Sequence, residues 1–473
     1  MEHTYLKLDK ELVESIREGI GAEAIFLDEE NIEKYAHDET EDLIFYPEMV
    51  VKPSSVEQVS WLMKFCNEKS IPVTPMGART GLSGGALAIY GGVALSMERF
   101  NSILEIDENN QQVTVEPGVI TQVLMEAVEE KGLYYAPDPA SKGSCFIGGN
   151  IAENSGGPRA VKYGVTKDWV LNLQVVLPSG DVIWTGAHTL KNSTGYNLTQ
   201  LIVGSEGTLG VVTKAVLKLI PKPSHSLLML VPFTSARKAC QAVSAIFRAG
   251  VTPSAIEFME QDAIDITTQF MGGSPVDLPK DAAAHLLIEV DGSDLGYLMK
   301  QCESISNTLS EFDCEQILFA EDQSQKDRLW AMRRKVGEAV KAFSVYKEED
   351  TVVPRYYLPD LLDGVKALGK EYGFRSVCYG HAGDGNLHIN ILKGELTANQ
   401  WENELPEAIT KLFLLTKKLK GTLSGEHGIG LVQKGYMNLV FSEIEMGVMR
   451  KIKGVFDPKG ILNPGKILPD LGK

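Results

Sequence analysis

"TPMGARTGLSGGALA", residues 74–88, is the stretch on which the fold turns. It follows the strand-like Ile71-Pro72-Val73 and carries glycines at 77, 81, 84 and 85. Glycines this close together let backbone N–H groups approach an anion, such as a pyrophosphate, with no Cβ in the way. One such loop fits a flexible surface turn equally well. Two more follow, however. "GSCFIGGNIAENSGGPRAVKYG" (143–164) carries Gly148, Gly149, Gly156 and Gly157, and "GYNLTQLIVGSEGTLGVVTKAVLKL" (195–219) carries Gly204, Gly207 and Gly210. Three glycine-rich segments in one region point to a large cofactor lying against backbone. None is a G-x-G-x-x-G turn with an acidic residue about 20 positions on, and none is a phosphate loop ending in Gly-Lys-Ser/Thr.

The text around these loops alternates strands and helices. "MVVKPSSVEQVSWLMKFCNEKSIPVTPMG" reads strand, helix, strand, and "GGVALSMERFNSILEIDENNQQVTVEPGV" reads as short strands broken by Asn and Gly. Two prolines in "KLIPKPSH" break the pattern. Beyond them longer helices alternate with strands such as "HLLIEVDG", and the tail "FDPKGILNPGKILPD" is rich in Pro and Gly. The expected division is a helical segment over 1–44, a cofactor domain over 45–222, a second α+β domain over 223–440, and a segment over 441–473 that folds back onto the first.

Composition narrows the function classes. The 473 residues include 46 Lys and Arg against 63 Asp and Glu, a formal net charge of −17. So acidic a chain lacks the basic footprint that nucleic acid requires, and it is ill-suited to an anionic membrane face. No apolar run is long enough to span a bilayer. The start lacks the basic, apolar and small-residue order of a secretion signal. Six cysteines, at 66, 145, 240, 302, 314 and 378, show no pairing rhythm and read as reduced thiols. The expected location is the cytoplasm, with membrane association only peripheral, through a partner.

In this order the three glycine segments resemble the FAD-binding domain of the vanillyl-alcohol oxidase/p-cresol methylhydroxylase flavoproteins. "GARTGLSGG" is similar to the pyrophosphate loop, and "PDPASKGSCFIGGNIAENSGG" and "GSEGTLGVVT" to the other flavin segments. The resemblance implies an α+β fold: a two-subdomain FAD-binding domain of that type plus an α+β cap, or substrate, domain. It places Arg79, Thr80, Gly81, Ser83 and Gly84 at the pyrophosphate. It places Gly148, Asn150, Asn154 and Gly157 near the isoalloxazine, and Glu206, Gly210 and Val212 on the adenosine side. Pro137 and Asn463 join the cofactor set. Some members tether FAD through a histidine in the first loop. Here no histidine lies between His37 and His188, and Cys145 is the sole cysteine between Cys66 and Cys240. Non-covalent FAD is therefore expected, with Cys145 the one alternative tether.

The second half poses a different question in "GHAGDGNLHIN", 380–390. Asp-Gly is a strong signal for a two-residue hairpin turn. Centring the turn on 384 and 385 sets His381 directly opposite His388, with Cβ atoms about 5 Å apart on one face. Two imidazoles so placed can reach one ion at roughly 2.0–2.1 Å each, or they can simply cap a hairpin. Cys378 has the opposite strand parity and is left out. "LSGEHGIG" (423–430) adds Glu426 and His427 among glycines, and "LWAMRRKVGEA" (329–339) adds Arg333 and Arg334 on a helix. Arginine can bind a carboxylate with two parallel hydrogen bonds.

"GHAGDGNLH", "SGEHGIG" and "LNPGKIL" resemble the cap domain of D-2-hydroxyacid dehydrogenases, a group that includes D-lactate and D-2-hydroxyglutarate dehydrogenases and the glycolate oxidase catalytic subunit. By that resemblance His381, His388 and Glu426 bind a divalent ion, zinc first, with iron or manganese as alternatives. His427 is the catalytic base, Asn386 helps hold the substrate carboxylate, and Arg333, in a W-x-x-R pattern, anchors it. Dicarboxylate-specific members add a threonine four positions after that arginine and a lysine further on. This chain has Gly337 at the first position, and Lys347 is only loosely aligned with the second. The departure favours a small acid, glycolate or D-lactate, over 2-hydroxyglutarate. With no cysteine cluster or haem motif, electrons must leave to an external acceptor: a quinone, a cytochrome, an electron-transfer flavoprotein or partner subunits. A homodimer is compatible with the group. The rival readings are a non-redox flavoprotein synthase, a non-catalytic FAD subunit and a zinc hydrolase.

Overall fold

The computed structural model describes residues 5–274, 276–279 and 281–470. By contact the chain divides into two units. Residues 1–155, 165–222 and 426–473 make the first, and 156–164 with 223–425 make the second.

In the first unit, β1 (Ile25–Phe26), β2 (Met49–Val51), β3 (Val73–Met76) and β4 (Val93–Ser96) form a sheet in the order β1-β2-β4-β3. β4 runs parallel to both β2 and β3. Every residue of β2 and β4 is buried, as the unbroken apolar runs of a covered parallel strand require. The helix Val56–Lys69 links β2 to β3. Ser55 caps it by accepting from the Gln58 N–H at 3.3 Å. Val59, Leu62, Met63 and Cys66 then form one buried stripe at helical spacing. The glycine segment 77–92 connects β3 to β4.

The remaining strands of this unit are β5 (Ile103–Asp107), β6 (Gln112–Val115), β7 (Leu133–Tyr134), β8 (Val170–Val176), β9 (Val182–Trp184), β10 (Val211–Lys218) and β11 (Ile220–Pro221). Five of them form an antiparallel sheet, β5-β6-β10-β8-β9, while β7 pairs with β11. The C-terminal segment rejoins this unit from Glu426 onward, earlier than the expected return at 441. Its tail adds an edge to β3: the Val73 N–H donates to the Ile461 carbonyl and the Asn463 N–H to the Val73 carbonyl, each at 2.8 Å.

The second unit is built on one antiparallel sheet of β12 (His225–Phe233), β13 (Ala255–Glu260), β14 (Ala284–Gly292), β15 (Leu318–Phe319), β16 (Tyr346–Val352), β17 (Arg375–Gly380) and β18 (Asn386–Leu392). Their order is β15-β12-β14-β13-β17-β18-β16. Leu228, Leu230, Met259 and Leu287 pack on one face against Ile264, Leu329, Met332 and Val336 of three helices, Gln261–Met271, Gln323–Arg334 and Val336–Phe343. Segment 156–164 joins this unit although its sequence continues the second glycine motif. Glu289 and Asp291 are almost fully buried on β14. Buried carboxylates need cations, and Arg159 meets Glu289 at 3.0 Å while Lys162 and Tyr163 engage Asp291.

The 380–390 hairpin departs from the expected register. His388 lies opposite Tyr379, not opposite His381. The turn spans residues 381–385, and Asp384-Gly385 does not close it as a two-residue loop. The Val353 N–H donates to the Gly385 carbonyl at 3.1 Å, so the neighbouring chain draws Gly385 out of the ladder. The Asn386 N–H instead reaches back to the His381 carbonyl. A Cβ at Gly380 would stand 2.6 Å from the Asn386 carbonyl oxygen, so only glycine permits this close crossing.

Candidate active site

The first unit contains a cleft of about 270 Å³, partly open to solvent. All three glycine segments line it: Arg79, Thr80 and Gly81 from the first, Gly148 and Asn150 from the second, and Glu206, Gly210 and Val212 from the third. Glu426 and His427 of the returning segment line it as well. The other expected cofactor residues stand apart from the lining. The Gly84 N–H donates to Thr40 Oγ1 at 2.7 Å. The Ser83 carbonyl accepts from the Leu431 and Val432 N–H groups. Asn154 Oδ1 accepts from the Lys167 N–H at 2.9 Å. Asn463 Nδ2 donates to the carbonyls of Gly85 and Glu206. Pro137 is buried, and Gly157 belongs to the second unit. Through these contacts Ser83, Gly84, Asn154 and Asn463 brace the wall from behind its lining. Arg79 has φ 60°, and its guanidinium lies 4.1 Å from the Tyr35 ring centroid.

Two buried carboxylates, Glu153 and Glu206, also face this cleft. Glu206 accepts from the Ile429 N–H at 2.8 Å and the Gly430 N–H at 2.7 Å. The third glycine segment thereby grips the turn that carries His427. Gly428 has φ 81°, and a Cβ there would collide with the Glu153 carboxylate. Burial raises both acids, Glu206 to about 6 and Glu153 well above its usual range, Glu153 further through its neighbour Glu206. Lys466, which donates to the Leu87 carbonyl, is pushed down to about 7, chiefly by burial.

In the second unit four strands and one helix bring ionisable groups together. His381 and His388 are 6% and 5% exposed, and their ring centroids lie 5.5 Å apart, nearly perpendicular. They meet diagonally: His388 stacks on Tyr379, its cross-strand partner, at 5.2 Å, and His381 stands two residues beyond Tyr379 on the same face. Arg333, at the end of its helix, places its guanidinium 5.0 Å from the Tyr379 ring centroid. It pairs with Glu257 through Nη2 at 2.6 Å. Glu257 also lies 2.9 Å from His381 Nδ1 through both carboxylate oxygens. His388 Nδ1 lies 3.2 Å from Glu348. Asn386 donates from Nδ2 to Asp350 at 2.6 Å and to the Thr351 carbonyl at 3.1 Å, so its amide hydrogens go to the protein itself. Asp350 further accepts from Ser424 Oγ and from the Gly425 N–H, both at 2.9 Å, and so fixes the last residue before Glu426.

Comparison with known proteins matches residues 47–186 to an FAD binding domain and residues 222–467 to the C-terminal domain of FAD linked oxidases. This chain belongs to the FAD-linked oxidases. A D-lactate dehydrogenase of Anaerostipes hadrus is 38% identical over 98% of this chain and 99% of its own. The glycolate oxidase subunit GlcD of Bacillus subtilis is 37% identical over 92% of this chain and 91% of its own. The fold is that of p-cresol methylhydroxylase, whose structure superposes with a TM-score of 0.78 at 17% identity, over 98% of this chain and 97% of that one.

This FAD-linked oxidase is thus an oxidoreductase with an FAD-binding domain, and its cleft suits that group. A Cβ at Gly81 or Gly149 would meet nothing within 4 Å, which leaves bare backbone facing the cavity. Cys145 lines the same wall at 3% exposure, with its sulfur 3.3 Å from Thr121 Oγ1. Burial pushes its thiol up, away from the thiolate a covalent tether would need. Among the described residues no helix is long and apolar enough to cross a membrane.

Sequence reasoning missed Glu257, Glu348 and Asp350. Each had a signal. Glu257 is an acid inside the apolar strand "AIEFME", and Glu348 and Asp350 are same-face residues of "YKEEDTV". A carboxylate on the buried face of a strand implies a partner.

Proposed function

We propose that this protein oxidises a small D-2-hydroxyacid, glycolate or D-lactate, to the 2-oxoacid, using non-covalent FAD and a divalent ion, zinc first. The observation that carries the reading is the buried Arg333, whose guanidinium lies over the Tyr379 ring on which His388 stacks and whose charge suits a carboxylate. Relatives named for D-lactate and glycolate support the substrate class. Bound FAD supplies a two-electron acceptor for the hydride leaving C2, and the bound cation lowers the pKa of the substrate hydroxyl. His381 and His388 hold the ion, with Glu426 as third ligand. His427 accepts the hydroxyl proton at a ring nitrogen, which an imidazole of ordinary pKa near 6.5 can do at neutral pH. Arg333 orients the substrate through its carboxylate. Asn386 contributes by fixing Asp350, and through it the residue before Glu426.

Two features favour a short substrate over 2-hydroxyglutarate. Lys347 sits over the Trp401 ring at 5.1 Å and opposite Ile391, the strand parity that faces away from His388. Gly337 offers no side chain, and a Cβ there would stand 3.3 Å from Tyr379 Oη. Neither position thus offers a cation for a second carboxylate. The electrons pass on to an external acceptor: a quinone, a cytochrome, an electron-transfer flavoprotein or partner subunits. One relative is itself named as a subunit. Dye-linked turnover of the metal-restored protein with glycolate, D-lactate, L-lactate and D-2-hydroxyglutarate tests the reading. Turnover fastest with glycolate or D-lactate is expected. A clear preference for D-2-hydroxyglutarate would overturn the substrate assignment, and no turnover with any acid would favour a synthase or a silent subunit.

A further inference from the structure

We propose that Glu257 is a positioning residue that sets both the metal-binding imidazole and the carboxylate-binding arginine of the proposed reaction; the inference rests on the metal reading above. Glu257 lies in the middle of β13 and is wholly buried. A carboxylate in that position persists only with a cation and hydrogen-bond donors around it. Among the described contacts it meets both kinds. Arg333 Nη2 supplies a permanent charge at 2.6 Å, and His381 Nδ1 lies 2.9 Å from each carboxylate oxygen.

The consequence for His381 is chemical as well as geometric. An acceptor at Nδ1 fixes the proton there, so a metal ion is bound through Nε2, whose lone pair the carboxylate makes more basic. Its ring plane is set at the same time. His388 shows a weaker version of the arrangement, with Glu348 at 3.2 Å from its Nδ1 and Glu348 itself partly exposed. The consequence for Arg333 is restraint. Its side chain is 5% exposed, held from one side by Glu257 and from another by the Tyr379 ring. One buried acid therefore ties the metal ligand and the substrate anchor to the same strand.

The test uses the full-length flavoprotein, stripped of metal with a chelator and titrated with zinc against a competing dye. Glu257→Gln keeps the shape and removes the charge. The expected result is a loss of zinc affinity of about 10–100-fold, with FAD content unchanged. A merely structural role would lower the thermal midpoint of the metal-free protein and leave zinc affinity alone, and that result would overturn the proposal. If Glu257→Gln yields no folded protein, Glu257→Asp reads the same quantity with the carboxylate drawn back by one methylene. A several-fold loss is then expected, and wild-type affinity contradicts the proposal. Failure of the wild-type protein itself to bind zinc, manganese or iron would sink the metal reading, and this inference with it. That outcome is distinct from a normal wild type with an unaffected variant.

Discussion

The two units solve the problem of holding a ligand in opposite ways. The first presents backbone: glycines at 81 and 149 leave open wall, and most polar side chains around the cleft serve to brace it. The second presents side chains: two histidines, an arginine and three acids, nearly all buried and tied to one another across a sheet. A backbone cradle can receive an extended anion at little electrostatic cost, since its dipoles are fixed in advance. A buried side-chain cluster must balance every charge internally. Its function and its stability are then coupled in a way those of the cleft wall are not.

Several substitutions would break or sharpen that contrast. The largest effect is expected at His427. Replacing His427 with alanine should slow flavin reduction by about 10²–10⁴-fold while the cleft keeps FAD, as read by visible absorbance and stopped-flow. Near-normal reduction would remove His427 as the base. Arg333→Lys keeps the charge but loses the planar fork. It should raise KM for the acid at least about tenfold, a loss of one charge-assisted bond, with zinc affinity little altered.

Two buried groups, one in each unit, should titrate with opposite sign. His285 is fully buried on β14, and burial pushes its pKa down to about 4. The unfolded state, with an ordinary value near 6.5, binds the extra proton first. The contribution of His285 should therefore be unchanged above that value and fall by up to about 3 kcal/mol as pH drops to 4. Glu206 is raised instead, so in the first unit the folded state holds the proton longer, and stability should decline as pH rises from about 4.5 to 6. Hydrogen exchange resolved by segment, with His285→Leu and Glu206→Gln as controls, checks both slopes. A slope left unchanged by its own variant would refute that group's assignment. The smallest expected effect is at Gly428. Gly428→Ala forces a Cβ into the left-handed region against Glu153, at a cost of about 1–3 kcal/mol, measurable as a lowered urea midpoint.

What the sequence disclosed follows the same division. Glycine segments advertise a backbone cradle, because only glycine serves there, and Gly81, Gly148 and Gly210 do line the cleft. The histidine pair was legible as neighbours, but its register was not. The Asp-Gly turn rule considers two strands alone, whereas here the segment just past β16 claims Gly385 through Val353. Glu257 was the hardest to see. Its partners lie 76 and 124 positions away, and no local pattern links an acid in "AIEFME" to Arg333 and His381. Glu206 lines the cleft, as its motif suggests, but nothing in the sequence showed that its carboxylate also binds backbone N–H groups more than 220 residues on.

The most direct test of the central claim is an anaerobic titration of the purified, zinc-restored flavoprotein, following flavin absorbance as glycolate, D-lactate, L-lactate or D-2-hydroxyglutarate is added. Bleaching by glycolate or D-lactate, abolished when the metal is removed and regained when it returns, is the predicted result. A flavin that stays oxidised with every acid, metal present, would contradict the account.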